Sequence, residues 1–310
     1  MKRAASIDIG SNTIRLLIAE EKEGGGFKQL ESIRAITRLG EGMNTERRLR
    51  PHRIDATVEQ LKIFRKALNK YEPIPLIAVA TSAVRESINK EEFIKKAKDA
   101  GIDVSIISWE EEARLTLGGV FWKIKDEEKE TLTFDIGGGS TEFILSQGKE
   151  AVQSYGSSLG VVRLTERFIS KSPTDPDEYR KLIHFLEQEF KKIRKQLDAF
   201  TPKRVIGTAG TVTTLAAIDN NIFPYDPEKI HGSIIKLENI EKISEDLKRK
   251  TLEERIAIPA LEKGREDLII VGTALVLATL KAFACSNLTV SEYSLREGLL
   301  LKAFTSQASH

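Results

Sequence analysis

Residues 135–141 read Asp-Ile-Gly-Gly-Gly-Ser-Thr and come directly after the apolar run Leu132-Thr133-Phe134. Consecutive glycines leave backbone N–H groups unshielded by Cβ atoms and free to take positive φ, so the loop is expected to wrap a phosphate, with Asp135 placed to hold a metal ion beside it. The residues after the glycines select the kind of loop. A nucleotide P-loop continues with Gly-Lys-Ser/Thr into a helix, and a dinucleotide fingerprint opens a helix from Gly-x-Gly-x-x-Gly. Here Glu142-Phe143-Ile144-Leu145 is rich in β formers, which predicts strand, glycine turn, strand.

The same design recurs at the start of the chain. Residues 6–18 superimpose on residues 133–145 without a gap, setting Asp8 over Asp135, Gly10 over Gly137 and Thr13 over Ser140. Two copies of one hairpin, far apart in the chain, predict two similar domains facing each other across a cleft, each offering a loop to one polyphosphate. The expected phosphate ligands are the amides of Gly137, Gly138 and Gly139 and of Ser11, Asn12 and Thr13. The hydroxyls of Ser11, Thr13 and Ser140 add to them, with Thr141 as a further candidate.

Composition narrows the partners. The chain has 310 residues, enough for two domains with full cores, and a net charge of +2, too small to argue for nucleic acid. The arginine-rich residues 34–53 read either as a local anion-attracting patch or as a solvated loop and helix start. The single cysteine, Cys285, makes no internal disulfide and fits a reducing compartment. The first residues are too short an apolar run for a signal-peptide core. The longest apolar run, residues 268–280, is stopped by Lys281 and falls below the roughly 20 residues a membrane span needs. The expectation is a cytoplasmic protein with neither a membrane nor a nucleic-acid partner.

In chain order, Ile54, Val58, Leu61, Phe64 and Leu68 have helical spacing and predict a helix over 53–69. A strand over 75–80 runs into Thr81-Ser82-Ala83-Val84-Arg85-Glu86, and open α/β sheets put their ligands at such strand ends. Arg85 either grips a phosphate or pairs with Glu86 or Glu92. A charged helix over 90–100 stops at Gly101, a strand covers 103–107, and Ser108 caps a helix that begins Trp109-Glu110-Glu111-Glu112-Ala113-Arg114. The helix dipole alone accounts for the acidic first turn, but this helix leads directly to the second hairpin. Residues 123–130 are a polar linker, so domain I is expected at 1–124, rejoined by the closing helix 295–310, and domain II at 125–294.

Beyond the second hairpin, a helix over 161–169 begins after Gly160, and its N-terminus is a candidate anion site. A long amphipathic helix spans about 177–200. His184 within it reads as structural, since no second histidine or cysteine is placed to complete a metal site. After a strand at 203–206, Gly207-Thr208-Ala209-Gly210-Thr211 opens a helix over 212–218. This third glycine-rich loop suits a further phosphate or a nucleoside, with Gly207, Gly210 and Thr211 as its candidates. The tail predicts helices over 238–250 and 252–261, a buried helix from Asp267, a strand at 287–290 and a helix over 295–304. Ser291-Glu292-Tyr293-Ser294-Leu295-Arg296-Glu297-Gly298 reads as a capped helix start. Cys285 has no arginine six residues on, and histidines at 52, 184, 231 and 310 are scattered, so cysteine- and histidine-nucleophile phosphatase sites are excluded.

These stretches, taken together and in order, resemble the exopolyphosphatase and guanosine pentaphosphate phosphohydrolase (Ppx/GppA) family, the phosphatase branch of the superfamily of acetate and sugar kinases, heat-shock chaperones and actin. The resemblance rests on residues 7–16, 80–86, 111–115, 135–142, 159–168, 207–211 and 291–298. It implies an α/β fold of two actin-like (ribonuclease H-like) domains flanking an interdomain active-site cleft. It also implies hydrolysis of the terminal phosphate of inorganic polyphosphate or guanosine pentaphosphate with Mg2+. In the family the carboxylate before Ala-Arg is the proposed base, which maps onto Glu112. Because three glutamates stand here, with Trp109 where relatives often have glycine, Glu111 is held in reserve.

On this basis Mg2+ is expected at the catalytic Asp135, with Asp8 contributing through water and Glu142 as a further oxygen ligand. Arg15 and Arg85 offset the phosphate charge, and Glu112 aligns and deprotonates water, its pKa raised by the adjacent polyanion. The rivals are an ATP-dependent small-molecule kinase and an actin-like or chaperone-like ATP-driven switch. A homodimer is kept as a candidate assembly.

Overall fold

A computed structural model describes residues 2–23, 26–43, 46–124 and 129–306. Half of the expected linker, residues 125–128, and the last residues of the expected closing helix lie outside the described residues. The chain divides into two compact units, Met1–Lys123 with Ser294–His310, and Ile124–Tyr293. In the first, the order is β1 (Arg3–Ile9), β2 (Thr13–Glu21), β3 (Phe27–Ile36), α1 (Pro51–Leu68), β4 (Leu76–Ala80), α2 (Ser82–Glu86), α3 (Lys90–Asp99), β5 (Ser105–Ile106) and α4 (Trp109–Val120). The second runs β6 (Glu130–Ile136), β7 (Thr141–Gln147), β8 (Glu150–Ser157), α5 (Val161–Phe168), α6 (Pro176–Gln196), β9 (Arg204–Thr208), α7 (Ala209–Asp219), α8 (Pro227–Ile230), β10 (Ile234–Lys236), α9 (Leu237–Arg249), α10 (Leu252–Ile256), α11 (Ile269–Ala282) and β11 (Asn287–Val290). The chain then returns to the first unit with α12 (Leu295–Ser306).

The sheets are ordered β3-β2-β1-β4-β5 and β8-β7-β6-β9-β11-β10. In each, a three-stranded antiparallel meander continues into two strands parallel to its inner strand. The second sheet adds β10 as an antiparallel edge. This duplicated α/β topology is the actin-like class the sequence implies. The repeat extends to individual hydrogen bonds. Asp8 faces Arg15 and Ile9 faces Ile14, as Asp135 faces Glu142 and Ile136 faces Thr141. Gly10 N–H donates to Thr13 O at 3.1 Å, and Gly137 N–H to Ser140 O at 2.9 Å.

Alternation along β1 and β2 sends Ile7, Ile9, Ile14 and Leu16 to a core shared with Ile54, Leu61 and Phe64 of α1 and Phe93 of α3. Ala4, Leu17 and Ala19 point the other way, onto Leu300, Ala303 and Phe304 of α12. In the second unit Leu132, Phe134, Phe143 and Leu145 pack with Leu182, Leu186 and Phe190 of α6 and with Val271 and Leu275 of α11. The longest apolar run is therefore core. Among the described residues no helix is long and apolar enough to cross a membrane.

Two contacts set the positions of functional elements. A Cβ on Gly298 of α12 would lie 1.9 Å from Leu115 O, and one on Gly119 of α4 would lie 1.8 Å from Ser294 O. These helices cross backbone on backbone. The segment 291–298 is indeed a capped helix start, since Glu297 accepts from Ser294 N–H at 2.9 Å and from Arg296 Nε at 2.8 Å. In the second unit the fully buried Arg255 donates to Leu247 O (3.0 Å), Lys250 O (3.0 Å) and Glu266 O (2.9 Å). It thereby satisfies carbonyls at the end of α9. Burial lowers its pKa, opposed by Asp267.

Three short or exposed strands, β3, β8 and β10, carry no clear signal in the sequence. The helix expected over 252–261 stops at Ile256, ahead of Pro259, since the residue before a proline avoids helical backbone. Conversely α7 starts at Ala209, whose φ of 71° is unusual for a residue with a Cβ.

Gly298→Ala should cost about 3 kcal/mol or more in denaturant unfolding, because no rotamer relieves a clash with a backbone carbonyl. Gly118→Ala is the internal control. Its Cβ would meet nothing nearer than Gly298 Cα at 4.0 Å, so helix propensity should make it neutral or stabilising by up to about 1 kcal/mol.

Candidate functional site

None of Gly137, Gly138 and Gly139 occupies the left-handed region, which corrects the expectation that they serve positive φ. The close approach at this loop is carried by Gly160, which follows it in the chain. A Cβ on Gly160 would lie 2.2 Å from Gly139 C and 2.3 Å from Gly138 O. Val161 N–H donates to Gly137 O at 3.0 Å and Val162 N–H to Gly138 O at 2.9 Å. The first amides of α5 are thus spent on loop carbonyls, and the anion site expected at that N-terminus is not there. The loop of the first unit is anchored the same way. Ser11 O accepts from Gly40 N–H at 2.8 Å, and Asn12 O accepts from Thr37 and Arg38 N–H at 3.0 and 2.9 Å.

The loop amides are in the opposite state. Among the described residues, the N–H groups of Ser11, Asn12, Gly138 and Gly139 have no acceptor. Buried main-chain donors are nearly always paired, so adjacent unpaired amides on a fixed loop form a nest for an anion. The hydroxyls divide by role. Ser140 Oγ donates to Glu142 Oε1 at 2.8 Å, and Ser11 Oγ bonds Ser82 Oγ at 2.9 Å. Thr141 is fully buried and donates to Leu159 O at 2.5 Å, so it holds the loop and has no hydroxyl to spare for a ligand. Asn12 Nδ2 reaches Thr13 Oγ1 at 3.4 Å, while Asn12 Oδ1 is buried without a partner.

The acidic rows differ between units. Asp135 and Glu142 face each other across β6 and β7, and like charges directly opposite are unfavourable unless a cation joins them. In the first unit the same row reads Asp8, Arg15, Arg34, so the carboxylate already faces a guanidinium. Burial pushes the Asp8 carboxyl above its ordinary value, opposed by Arg15 and Arg296 and reinforced by Glu297. Among the described residues no three His, Cys, Asp or Glu side chains converge as a metal cluster. Two carboxylates completed by water and phosphate oxygens nevertheless suit Mg2+. Asp135 and Glu142 fit that ion; Asp8, beside Arg15, fits it less well.

In α4 the Ser108 hydroxyl accepts from Glu111 N–H at 3.2 Å, as the sequence predicts. The three glutamates then diverge. Glu110 is held below the usual carboxylate range by backbone and Ser108 hydrogen bonds. Glu111 is bound by Lys302 Nζ at 2.8 Å. Glu112 is buried at 6% exposure, and its Oε2 accepts from Arg85 Nη1 at 2.7 Å. The same nitrogen donates to Ile107 O at 3.0 Å, and the guanidinium lies 3.9 Å over the Trp109 ring. Arg85 therefore pairs with Glu112, whereas Glu92 is engaged by Asn89 and Lys96. Trp109 is the plate on which Arg85 rests.

The third loop is built largely for packing. A Cβ on Gly207 would meet Phe134 at 2.7 Å, and Thr211 is buried against Gly272, where a Cβ would lie 2.6 Å from its hydroxyl. Gly210 admits a group that sequence reasoning misses, since a Cβ there would lie 2.3 Å from Arg265 Cζ. The only sequence trace of Arg265 is that glycine. Burial also raises the pKa of Cys285, away from a reactive thiolate.

A carboxyl whose folded pKa exceeds its ordinary 3.8 binds its proton more tightly folded than unfolded. Wild-type stability should therefore fall as pH rises from 3.8 through the raised value. Asp8→Asn removes that ionisation. In urea unfolding without divalent cations, the variant should gain on the wild type across this window and hold the gain above it. Parallel pH profiles would contradict the assignment.

The model of the Ppx/GppA phosphatase family matches residues 17–307 of the chain. A bifunctional 3-dehydroquinate synthase/phosphatase of Fusobacterium nucleatum is 35% identical over 96% of this chain, which spans only 46% of that protein. Exopolyphosphatase 2 of Mycobacterium tuberculosis is 30% identical, with 97% of this chain and 98% of that protein covered. The crystal structure of an Aquifex aeolicus Ppx/GppA family member is 34% identical with a TM-score of 0.84, covering 99% of this chain and 98% of that one.

Proposed function

We propose, for a chain that belongs to the Ppx/GppA phosphatase family, that it hydrolyses the terminal phosphate of inorganic polyphosphate, with guanosine pentaphosphate as the second substrate to be weighed. The observation that carries this reading is the double nest. Both hairpin loops tie their carbonyls back to neighbouring segments and leave adjacent amides unpaired. Such donors match the peripheral oxygens of a phosphoryl group, whose charge spreads outward in the transition state.

The roles come from the chemistry of each group. The amides of Gly138, Gly139, Ser11 and Asn12 bind phosphate oxygens. Glu112 accepts the proton of the attacking water, and Arg85, bonded to its Oε2, fixes the carboxylate plane. Arg85 engages Glu112 and Ile107 through Nη1 alone, and its Nε and Nη2, buried without a hydrogen-bond partner, are the donors that would face a phosphate oxygen. Asp135 and Glu142 would hold Mg2+, which when bound supplies positive charge beside the phosphates. Ser140 orients Glu142 through its hydroxyl.

Phosphate release from polyphosphate, guanosine pentaphosphate and ATP, each with Mg2+, tests the reading. Wild type should release phosphate from one or both of the first two and little from ATP. Glu112→Ala should lower kcat by about 10²–10⁴ with substrate binding retained, while Glu111→Ala, whose carboxylate is engaged by Lys302, should stay within a few-fold of wild type. Hydrolysis of ATP alone, indifferent to Glu112, would move the function to the kinase or switch alternatives.

A further inference from the structure

The guanidinium of Arg85 has more donors than its partners in the fold use. Its Nη1 spends both N–H groups, on Glu112 Oε2 at 2.7 Å and on Ile107 O at 3.0 Å. Nε and Nη2 are buried with no acceptor. In a planar guanidinium these two nitrogens share the edge whose parallel N–H bonds match two oxygens of one carboxylate or phosphoryl group. Buried donors left unpaired are costly and rare in native proteins, so an open edge of this kind is expected to serve a ligand.

The short helix that carries Arg85 is tied to the first nest. Ser82, three residues before Arg85 and so on the same side of α2, bonds the Ser11 hydroxyl at 2.9 Å. Just ahead of it, Thr81 N–H donates to Ile9 O at 3.2 Å. What fixes the open edge is the tryptophan. Two bonds at one nitrogen locate a corner of the guanidinium and leave its plane free to tilt about that corner. Trp109 removes this freedom, because Arg85 Cζ lies 3.9 Å over its ring centroid. Trp109 and Glu112 stand three residues apart in the first turn of α4 and share a face. Plate and base thus come from one turn, which Ser108 caps.

We infer that Trp109 is a positioning residue for the reaction. By holding the plane of Arg85 it lets one side chain serve two partners at once, Glu112 at one corner and the oxygens of the reacting phosphoryl group along the opposite edge. The inference rests on the proposed exopolyphosphatase reading. A long side chain held in this way has surrendered its rotamer freedom before the substrate arrives. Trp109 touches neither water nor phosphate in this role; it acts through Arg85, and its effect falls on the alignment of base and phosphoryl group.

A double-mutant cycle on polyphosphate hydrolysis tests this. Trp109→Ala should lower kcat about 10- to 100-fold, the scale of a small misplacement of reacting groups, with a much smaller change in KM, since the nest amides remain. Trp109→Phe, which keeps a ring under the guanidinium, should retain most of kcat. In an Arg85→Ala background, Trp109→Ala should cost less than about a further twofold, because the two changes remove one device. The same loss of kcat in both backgrounds, an equal loss for Phe and Ala, or a rise in KM with kcat unchanged would each overturn the positioning role while leaving the enzyme an exopolyphosphatase. A wild type that releases no phosphate from polyphosphate would overturn the functional reading. The contact itself is read without turnover: in Trp122→Phe, where Trp109 is the sole tryptophan, Arg85→Ala should shift the tryptophan emission, and an unmoved spectrum would overturn the pairing.

Discussion

A loop that binds an anion through its main chain has to satisfy its own carbonyls without consuming its amides. Both hairpins solve this with a neighbouring segment. In the second unit the donors come from the start of α5, brought within reach because Gly160 has no Cβ atom to collide with the loop backbone. In the first, the donors are Thr37, Arg38 and Gly40, and a Cβ on Gly40 would lie 2.9 Å from Ser11 Cβ. The glycines are therefore spent on proximity, and the exposed backbone is the by-product that chemistry uses.

The candidate base depends on a different close approach. Ser108 caps α4, Gly119 lets it cross α12 at backbone distance, and Arg85 ties Glu112 to the end of β5 through Ile107. A carboxylate on a helix pinned at both ends has little room to wander, which is what aligning a water demands. Trp109 fits the same logic, since a ring under the guanidinium fixes the partner that fixes the glutamate.

Much of this is legible in the sequence because it is local. The gapless overlay of residues 6–18 on 133–145 foretells both hairpins, their register and the duplicated α/β class, and Ser108 announces its helix. The features that escape are non-local or weakly patterned. The strands β3 and β8 each pair with a register shift, and β10 has three residues, so no clean periodicity marks them. Sequence offers Arg85 its neighbours Glu86 and Glu92 as partners, whereas its actual partner lies 27 residues away. Arg255 and Arg265 look like surface arginines until packing brings carbonyls to one and Gly210 to the other.

The two copies have also diverged where it matters chemically. Position for position, Arg15 stands where the second unit has Glu142. The first hairpin thus carries its own counter-charge beside Asp8, and bringing in a divalent cation there means competing with a guanidinium already in place. The second hairpin opposes two carboxylates and arranges Ser140 against one of them, a donor set of the kind Mg2+ takes. If the duplicated loops share the work of holding phosphate, the proposed metal is asymmetric by construction. It is proposed with Asp135, while Asp8 sits buried with Arg15 and Arg296 opposing the rise in its pKa and Glu297 adding to it.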